Sequence, residues 1–208
     1  MSGPPSQRTR VRRVPARAAY DRVVVQEIFD EALVCHVCVV DGEQPIVVPT
    51  LHARDGDRLL LHGSAASRAM RLLAAGVPAA VCATHIDGLV LARSAFFHSV
   101  NYRSAVALGA ASPMDDETKL AALRLFLERY HPGRWNQVRQ PSPQEFKATA
   151  VVSFPLSEAS AKRRSGPPTD LAEDLGRDVW AGIIPLELRQ LPPVPHRGDE
   201  NASESRGR

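Results

Sequence analysis

"QPIVVPTLHARDGDRLLLHGSAASRAM", Gln44–Met70, decides how this chain is read. The run "PIVVPTLHAR" (Pro45–Arg54) is short, valine-bearing and predicts a strand. Asp55-Gly56 is tight-turn chemistry, and "RLLLH" (Arg58–His62) returns as the next strand. "SAASRAMRLLAAG" (Ser64–Gly76) then predicts a helix that opens on a serine and closes on a glycine. Pro49 removes one ladder donor, so its strand belongs at an edge, at a bulge, or with its backbone facing a ligand.

The junction between that strand and helix, Gly63–Arg68, suits two uses. A helix N-terminus offers unpaired N–H groups and the positive end of the dipole. Gly63 lets backbone approach an anion, Ser64 and Ser67 bring hydroxyls, and Arg68 can form a charged fork to phosphate oxygens. The same residues also serve as a plain cap, with Ser64 at the N-cap and Arg68 solvated. The lysine that follows glycine in a nucleotide-binding P-loop is missing.

Working outward, "AAYDRVVVQEIFDEAL" (Ala18–Leu33) has helical spacing at Val24, Ile28 and Ala32. "LVCHVCVV" (Leu33–Val40) predicts a strand, and Asp41–Pro45 a turn. Val77–Ile86 predicts another strand, followed by a hairpin signal at Asp87-Gly88. Leu89–Ala111 is mostly extended, with a break expected near Ser99–Asn101. Asp115–Tyr130 predicts a helix with acids in its first turn and a stripe of Leu120, Leu123, Leu127 and Tyr130. "ATAVVSFPL" and "VWAGIIPLEL" predict two late strands. Short strands joined by Asp-Gly turns, with a few helices, make the expected fold mainly β (α+β), a small barrel with peripheral helices. One domain is expected over 14–191, flanked by a disordered basic arm (1–13) and a disordered tail (192–208).

The chain has 208 residues with 44% apolar and 24% charged side chains, ordinary for a globular protein. Arg8, Arg10, Arg12, Arg13 and Arg17 crowd the start with no acid among them. Removing those five from the formal net charge of +3 leaves −2 for the rest. The basicity therefore belongs to the start and not to the body, which argues against a nucleic-acid partner. No apolar window approaches the roughly eighteen residues of a membrane span, the start has no secretory apolar core, and a cytoplasmic protein is expected.

Three cysteines are too few for a disulfide framework. "CHVC" (Cys35–Cys38) on a strand puts its sulfurs on opposite faces, which disfavours a metal or redox pair, and no metal site is expected. The seven histidines show no ligand spacing. "SVNYRS" (Ser99–Ser104) packs five hydrogen-bonding side chains between apolar runs. Buried without partners, each would cost about 1–3 kcal/mol, so the patch is either a ligand wall or a surface loop.

Together, "QPIVVPTLHARDGDRLLLHGSAASRAM", "DGLVLARSAFFHSVNYRSAVALGAA", the helix opening "DDETK", "PGRW", "ASAKRRSGPP" and "VWAGIIPL" resemble the pyridoxamine 5′-phosphate oxidase-like superfamily, in its flavin-nucleotide-binding branch related to nitroimidazole-resistance proteins. The likeness runs from about Val14 to Leu188. It implies an FMN-binding split β-barrel, a homodimer with flavin at the subunit interface. By position, backbone around Val48, Pro49 and Thr50 would border the flavin ring. His62, Gly63, Ser64, Ser67 and Arg68 would lie beside the phosphate or the ring edge, and Asn101, Tyr102, Arg103 and Ser104 would line the site from a neighbouring strand. His62 is the single candidate for direct participation, as proton donor or orienting group. The resemblance lacks the C-terminal substrate pattern of true pyridoxamine phosphate oxidases. It also admits haem or a deazaflavin in place of FMN. The expected activity is an FMN-dependent oxidoreductase acting on a small organic molecule; the alternative is a flavin- or haem-binding protein without turnover.

Overall fold

The computed structural model describes residues 3–196. In chain order the elements are β1 (Ala18–Ala19), α1 (Arg22–Glu31), β2 (Val34–Asp41), β3 (Gln44–Asp55), β4 (Arg58–Ser64), α2 (Arg68–Ala74) and β5 (Pro78–Leu91). Then come β6 (Ser99–Ala110), β7 (Ser112–Pro113), α3 (Asp116–Tyr130), α4 (Pro143–Ala148), β8 (Thr149–Pro155), β9 (Ala159–Arg164) and β10 (Gly182–Pro185). Alternation builds the sheet. In β2, Cys35, Val37 and Val39 are buried while Val34, His36 and Val40 are exposed, the period of two that a half-buried strand requires. Cys35 and Cys38 therefore sit on opposite faces, and burial pushes the Cys35 thiol up to about 12.

The strands form one ten-stranded sheet in the order β1-β9-β6-β5-β2-β3-β4-β8-β7, with β10 added beside β5. Every pairing is antiparallel. The sheet curls around a core of Val37, Val39, Leu59, Leu61, Val81, Val152 and Phe154. Two helices close it, α1 through Val25, Ile28 and Phe29, and α2 through Met70 and Leu73. Each large side chain so buried contributes about 1.5–3 kcal/mol. On the other face of β3, β4 and β8, α3 lays Ala122 and Phe126 over Ala53, Leu60 and Val151. The result is the expected mainly β split barrel with peripheral helices. Among the described residues, no helix is long and apolar enough to cross a membrane.

Several local expectations are corrected. The helix after the junction starts at Arg68, not Ser64. Ser64 stays in β4 because it pairs with Thr149 of β8, and Ser67 is the N-cap, accepting from Met70 N–H at 3.1 Å. Asp87-Gly88 is not a hairpin. β5 runs through it with a bulge between Ile86 and Gly88, and glycine is needed because a Cβ there would meet Ile184 O and Ile183 Cγ2 of β10, both at 3.0 Å. The break before β6 falls at Ala92–His98, which includes a 3-10 turn at Ala95–Phe97, so Ser99–Asn101 is regular strand. The buried face of α3 is Lys119, Ala122 and Phe126, and Leu120 is exposed. Lys119 is covered because α4 places the Phe146 ring 3.9 Å from its ammonium.

The sequence reading also missed β9 and α4, and the strand expected in "VWAGIIPLEL" is reduced to the four residues of β10. The arm expected to be solvated is exposed over much of residues 3–13 but touches the body at Ser6, Arg8 and Val11. Thr9 is buried, Ser6 Oγ meets the Glu158 carboxylate, and Val11 N–H donates to Tyr20 Oη at 2.9 Å. In the tail, residues 192–196 are exposed and irregular, and the rest of 192–208 lies outside the described residues.

Candidate functional site

β3 is the hinge of the architecture. Its second half, His52–Asp55, pairs with β4, while its first half, Gln44–Leu51, pairs with β2 alone. The β3 and β4 ladders thus fork at His52/Leu61, and β4 continues through His62, Gly63 and Ser64 against β8. The first half of β3 is left with an edge that no other strand covers among the described residues. Its prolines fix which groups face that edge. Asp41 and Gln44 close a two-residue turn, so the pairs 41/44, 39/46, 37/48 and 35/50 exchange ladder bonds. Pro45, Val47, Pro49 and Leu51 then point their backbone groups away from β2. Two of those four lack an N–H, which leaves the Val47 and Leu51 N–H groups and the neighbouring carbonyls to meet whatever enters the fork. Of the placements that Pro49 allowed, an edge, a bulge or a backbone facing a ligand, the pairing shows the edge. Val48 and Thr50 turn their backbone groups toward β2, and the Thr50 hydroxyl donates to Leu51 O at 3.3 Å.

The Gly63–Arg68 loop lies at the end of the diverging strand. Gly63 is there for packing, since a Cβ would meet Met70 Cγ at 3.0 Å. Much of the loop's donor capacity is spent. Ala65 N–H donates to Ala148 O, Ala66 N–H to Ser64 Oγ, and Ser67 N–H to Ser64 O. The N–H groups of Arg68 and Ala69 have no acceptor within the helix. Arg68 reaches back to β2, where its Nε donates to the Asp41 carboxylate, with both side chains partly exposed. Arg68 is thus neither buried nor free.

His62 faces α3, not the loop. Its ring centroid is 4.3 Å from that of Phe126, its Nδ1 is buried without a partner, and burial holds its pKa below the ordinary value. The ring is neutral near pH 7. At the fork point itself stands Tyr130, whose Oη lies 2.8 Å from His52 O and 3.0 Å from Leu33 O, with one proton to give to either. Beside it, Arg129 Nη2 donates to the carbonyls of Phe29, Asp30 and Ala32 at the C-terminal end of α1, where a cation is favoured. The sequence reading placed Tyr130 in the α3 stripe and passed over Arg129. Their partners lie some hundred residues earlier, and no local spacing announces them. His52 is fully buried, with Nε2 2.7 Å from Phe29 O, and burial lowers its pKa to about 4.

The "NYRS" group is not one wall. β6 alternates, so Asn101 and Arg103 share the face of the buried Ala105 and Ala107, and Tyr102 and Ser104 share the opposite face. Arg103 is committed to a fork with Asp87 (2.9 and 3.1 Å) and to Glu31 at 2.5 Å, which hold its pKa above the ordinary value. Asn101 is buried and accepts from Arg164. Ser104 Oγ donates to Lys162 O at 3.3 Å. Within one chain β5 and β2 lie between β6 and β3. The first half of β3 and the His62–Arg68 loop therefore flank the fork, while Asn101–Ser104 lie elsewhere on the sheet.

Comparison with known proteins accords with this geometry. The family model described as pyridoxamine 5′-phosphate oxidase matches residues 21–163. No curated protein matches the sequence. Among solved structures, the flavocytochrome Anf3 from Azotobacter vinelandii is 39% identical, over 94% of this chain and 92% of that one, with a TM-score of 0.90. The FAD and haem binding protein from Mycobacterium smegmatis is 33% identical, over 87% and 89%, with a TM-score of 0.83. A proposed 5-nitroimidazole antibiotic resistance protein from Bacteroides thetaiotaomicron shares the fold at 22% identity, over 70% and 85%, with a TM-score of 0.58.

Proposed function

The chain belongs to the pyridoxamine 5′-phosphate oxidase family, and we propose that it is a homodimeric FMN-binding oxidoreductase acting on a small organic molecule. The observation that carries this reading is the fork, where a strand edge with two outward N–H groups opens beside a serine- and arginine-bearing loop. The donor set fits a flavin nucleotide. Val47 and Leu51 N–H groups and the adjacent carbonyls match the alternating acceptors and donors along a flavin ring edge. Ser64, the first-turn N–H groups of α2 and Arg68 suit a terminal phosphate. A bound flavin supplies the electron transfer, and the protein supplies binding, orientation and a local field. Tyr130 and Arg129 tie α3 to the fork point and hold the strands apart. His62, packed on Phe126, anchors the start of the loop; this is its role here, rather than proton donation.

The homodimer reading rests on the outer face of β2 and β3. Val34 pairs with Leu51 and Cys38 with Val47, and Val34, Val40, Val47 and Leu51 are all exposed. Contiguous exposed apolar surface of this kind marks an association face. The segment after β9 adds Leu175, Val179, Trp180, Leu188 and Leu191, exposed in one chain and available to a second copy. A partner would bring a wall to the open side of the fork, where Tyr102 and Ser104 of the other chain are candidates.

A second reading is favoured by the two similar structures above 30% identity, one a flavocytochrome and one an FAD and haem binding protein. In it the chain holds a dinucleotide flavin, haem, or both, without turnover of its own. Anaerobic addition of reduced nicotinamide to the reconstituted protein separates the two. Bleaching of the flavin band, with recovery on adding an acceptor, supports the enzyme. An unbleached flavin or a Soret band without turnover supports the carrier.

A further inference from the structure

A cleft of about 760 Å³ opens at the end of β9, lined by Arg17, Arg93, Arg163, Arg164, Thr169 and Asp170 among others. Its volume lies within the range of small-molecule sites. Along the sheet, β6, β5 and β2 separate β9 from β3, about 19 Å at the usual strand spacing. The charges in it do not balance. Arg93 is neutralised by Asp170, through Nη1 at 2.7 Å and the backbone N–H at 2.8 Å. Among the described residues, Arg17, Arg163 and Arg164 form no salt bridge with a carboxylate.

Arg164 makes the imbalance costly. It is nine-tenths buried, and its donors go to neutral acceptors: the Asn101 side chain, Gly166 O at 3.1 Å and Pro167 O at 3.0 Å. These satisfy its hydrogen bonds and leave its charge uncompensated, which a buried cation tolerates poorly. Burial and then the positive charge of Arg17 hold its pKa below the ordinary value. A donor is also left over, for Arg93 Nε is buried with no partner among the described residues.

We infer that this cleft is a second ligand site, built for a molecule presenting two adjacent anionic groups, either a diphosphate or a dicarboxylate. Two uncompensated guanidinium groups, Arg17 and Arg164, meet at this cavity beside the unused Arg93 Nε, with Arg163 at its rim, and paired anions engage several arginine forks at once. The assignment stands apart from flavin binding at the fork.

Isothermal titration of the full chain with inorganic pyrophosphate, glutarate and orthophosphate tests it, with Arg17→Ala/Arg163→Ala as the variant and Arg71→Ala as the control. Neither Arg17 nor Arg163 has an acidic partner to lose, and thermal unfolding checks that the variant is folded. Pyrophosphate or glutarate is expected to bind saturably, one per chain, at least tenfold more tightly than orthophosphate. The double variant should weaken that binding at least tenfold, and Arg71→Ala should leave it unchanged. A preference for pyrophosphate identifies a phosphorylated ligand and a preference for glutarate a dicarboxylate. Absence of saturable binding of both, or binding that the folded double variant retains, overturns the site. FMN affinity, read by flavin fluorescence in the same samples, should be unchanged in the double variant; a parallel loss of FMN would overturn the separation of the two sites. If the parent binds a paired anion but not FMN, the fork reading fails and the cleft stands.

Discussion

Replacing Arg68 by alanine weighs the phosphate contact proposed at the fork against a pair the protein already holds. In the free chain Arg68 is bonded to Asp41, with side-chain exposures of 56% and 36%. A pair that open to solvent is worth about 0–1 kcal/mol. A charged hydrogen bond to a phosphate is worth about 1.5–3 kcal/mol. Binding exchanges one for the other, so Arg68 contributes a net of about 1–2 kcal/mol, and Arg68→Ala should weaken FMN by roughly five- to thirtyfold. Asp41→Asn removes the competitor and should tighten FMN by up to about fivefold, the reverse of the same exchange. Riboflavin, which carries no phosphate, should bind all variants within about threefold of the parent. The double variant should behave like Arg68→Ala alone, because Asp41 competes only through that guanidinium. Arg71→Ala, one helical turn further on, should leave FMN within about threefold. Titration by quenching of flavin fluorescence gives each constant. Equal losses for FMN and riboflavin, or an Arg68→Ala protein that binds FMN like the parent, would refute the phosphate role and leave Arg68 a helix residue paired with Asp41.

Stability should fall as the pH drops from about 6.5 toward 4, because burial lowers the folded pKa of His52 from 6.5 to about 4 and the unfolded chain takes up a proton that the folded one refuses. Linkage gives a loss of about 1.4 kcal/mol at pH 5.5 from this group, which His52→Gln should abolish in thermal melts across that range; an unchanged pH dependence in the variant would count against the account. Deleting residues 1–12 removes the buried Thr9 and the Ser6–Glu158 contact and should cost about 1–2 kcal/mol, lowering Tm by about 3–8 °C; an unchanged Tm would mean the arm contributes nothing. Val47→Glu places a charge on the exposed face of β3, where Val47 is 60% exposed; if the proposed homodimer forms through this face, the parent should be dimeric and the variant a folded monomer by light scattering. A variant that stays dimeric would put the interface elsewhere.

Much of the fold was legible because the strongest signals are local. The valine-rich runs and the Asp-Gly turn placed β2, β3 and β4 within two residues, and Asp115 announced α3 by capping Thr118 N–H. Pro49 narrowed its strand to an edge, a bulge or a ligand-facing backbone, and only the pairing chose the edge. The errors arose where a distant partner overrides a local preference. Ser64 looks like a helix cap until Thr149 extends the ladder through it. Asp87-Gly88 looks like a turn until β10 packs against the glycine. The arm looks solvated by composition, yet Ser6 and Arg8 fold back onto Glu158, 152 and 150 residues away in sequence. For the site, the loop Gly63–Arg68 was visible as a motif, but Asp41 as the partner of Arg68 was not. Asn101 and Arg103 looked like ligand groups because their partners, Arg164, Asp87 and Glu31, come from three other parts of the chain.

The fork as the flavin site is tested most directly by amide hydrogen exchange, with and without FMN, at a fixed protein concentration. Val47 and Leu51 have N–H groups that no neighbouring strand takes, so in the free protein they should exchange quickly. Saturating FMN should slow both by about tenfold or more, together with the loop amides of Arg68 and Ala69, while the amides of Arg163–Asp170 around the arginine cleft stay as they were. Unchanged exchange at Val47 and Leu51 in protein shown by fluorescence to be saturated with FMN would contradict the account.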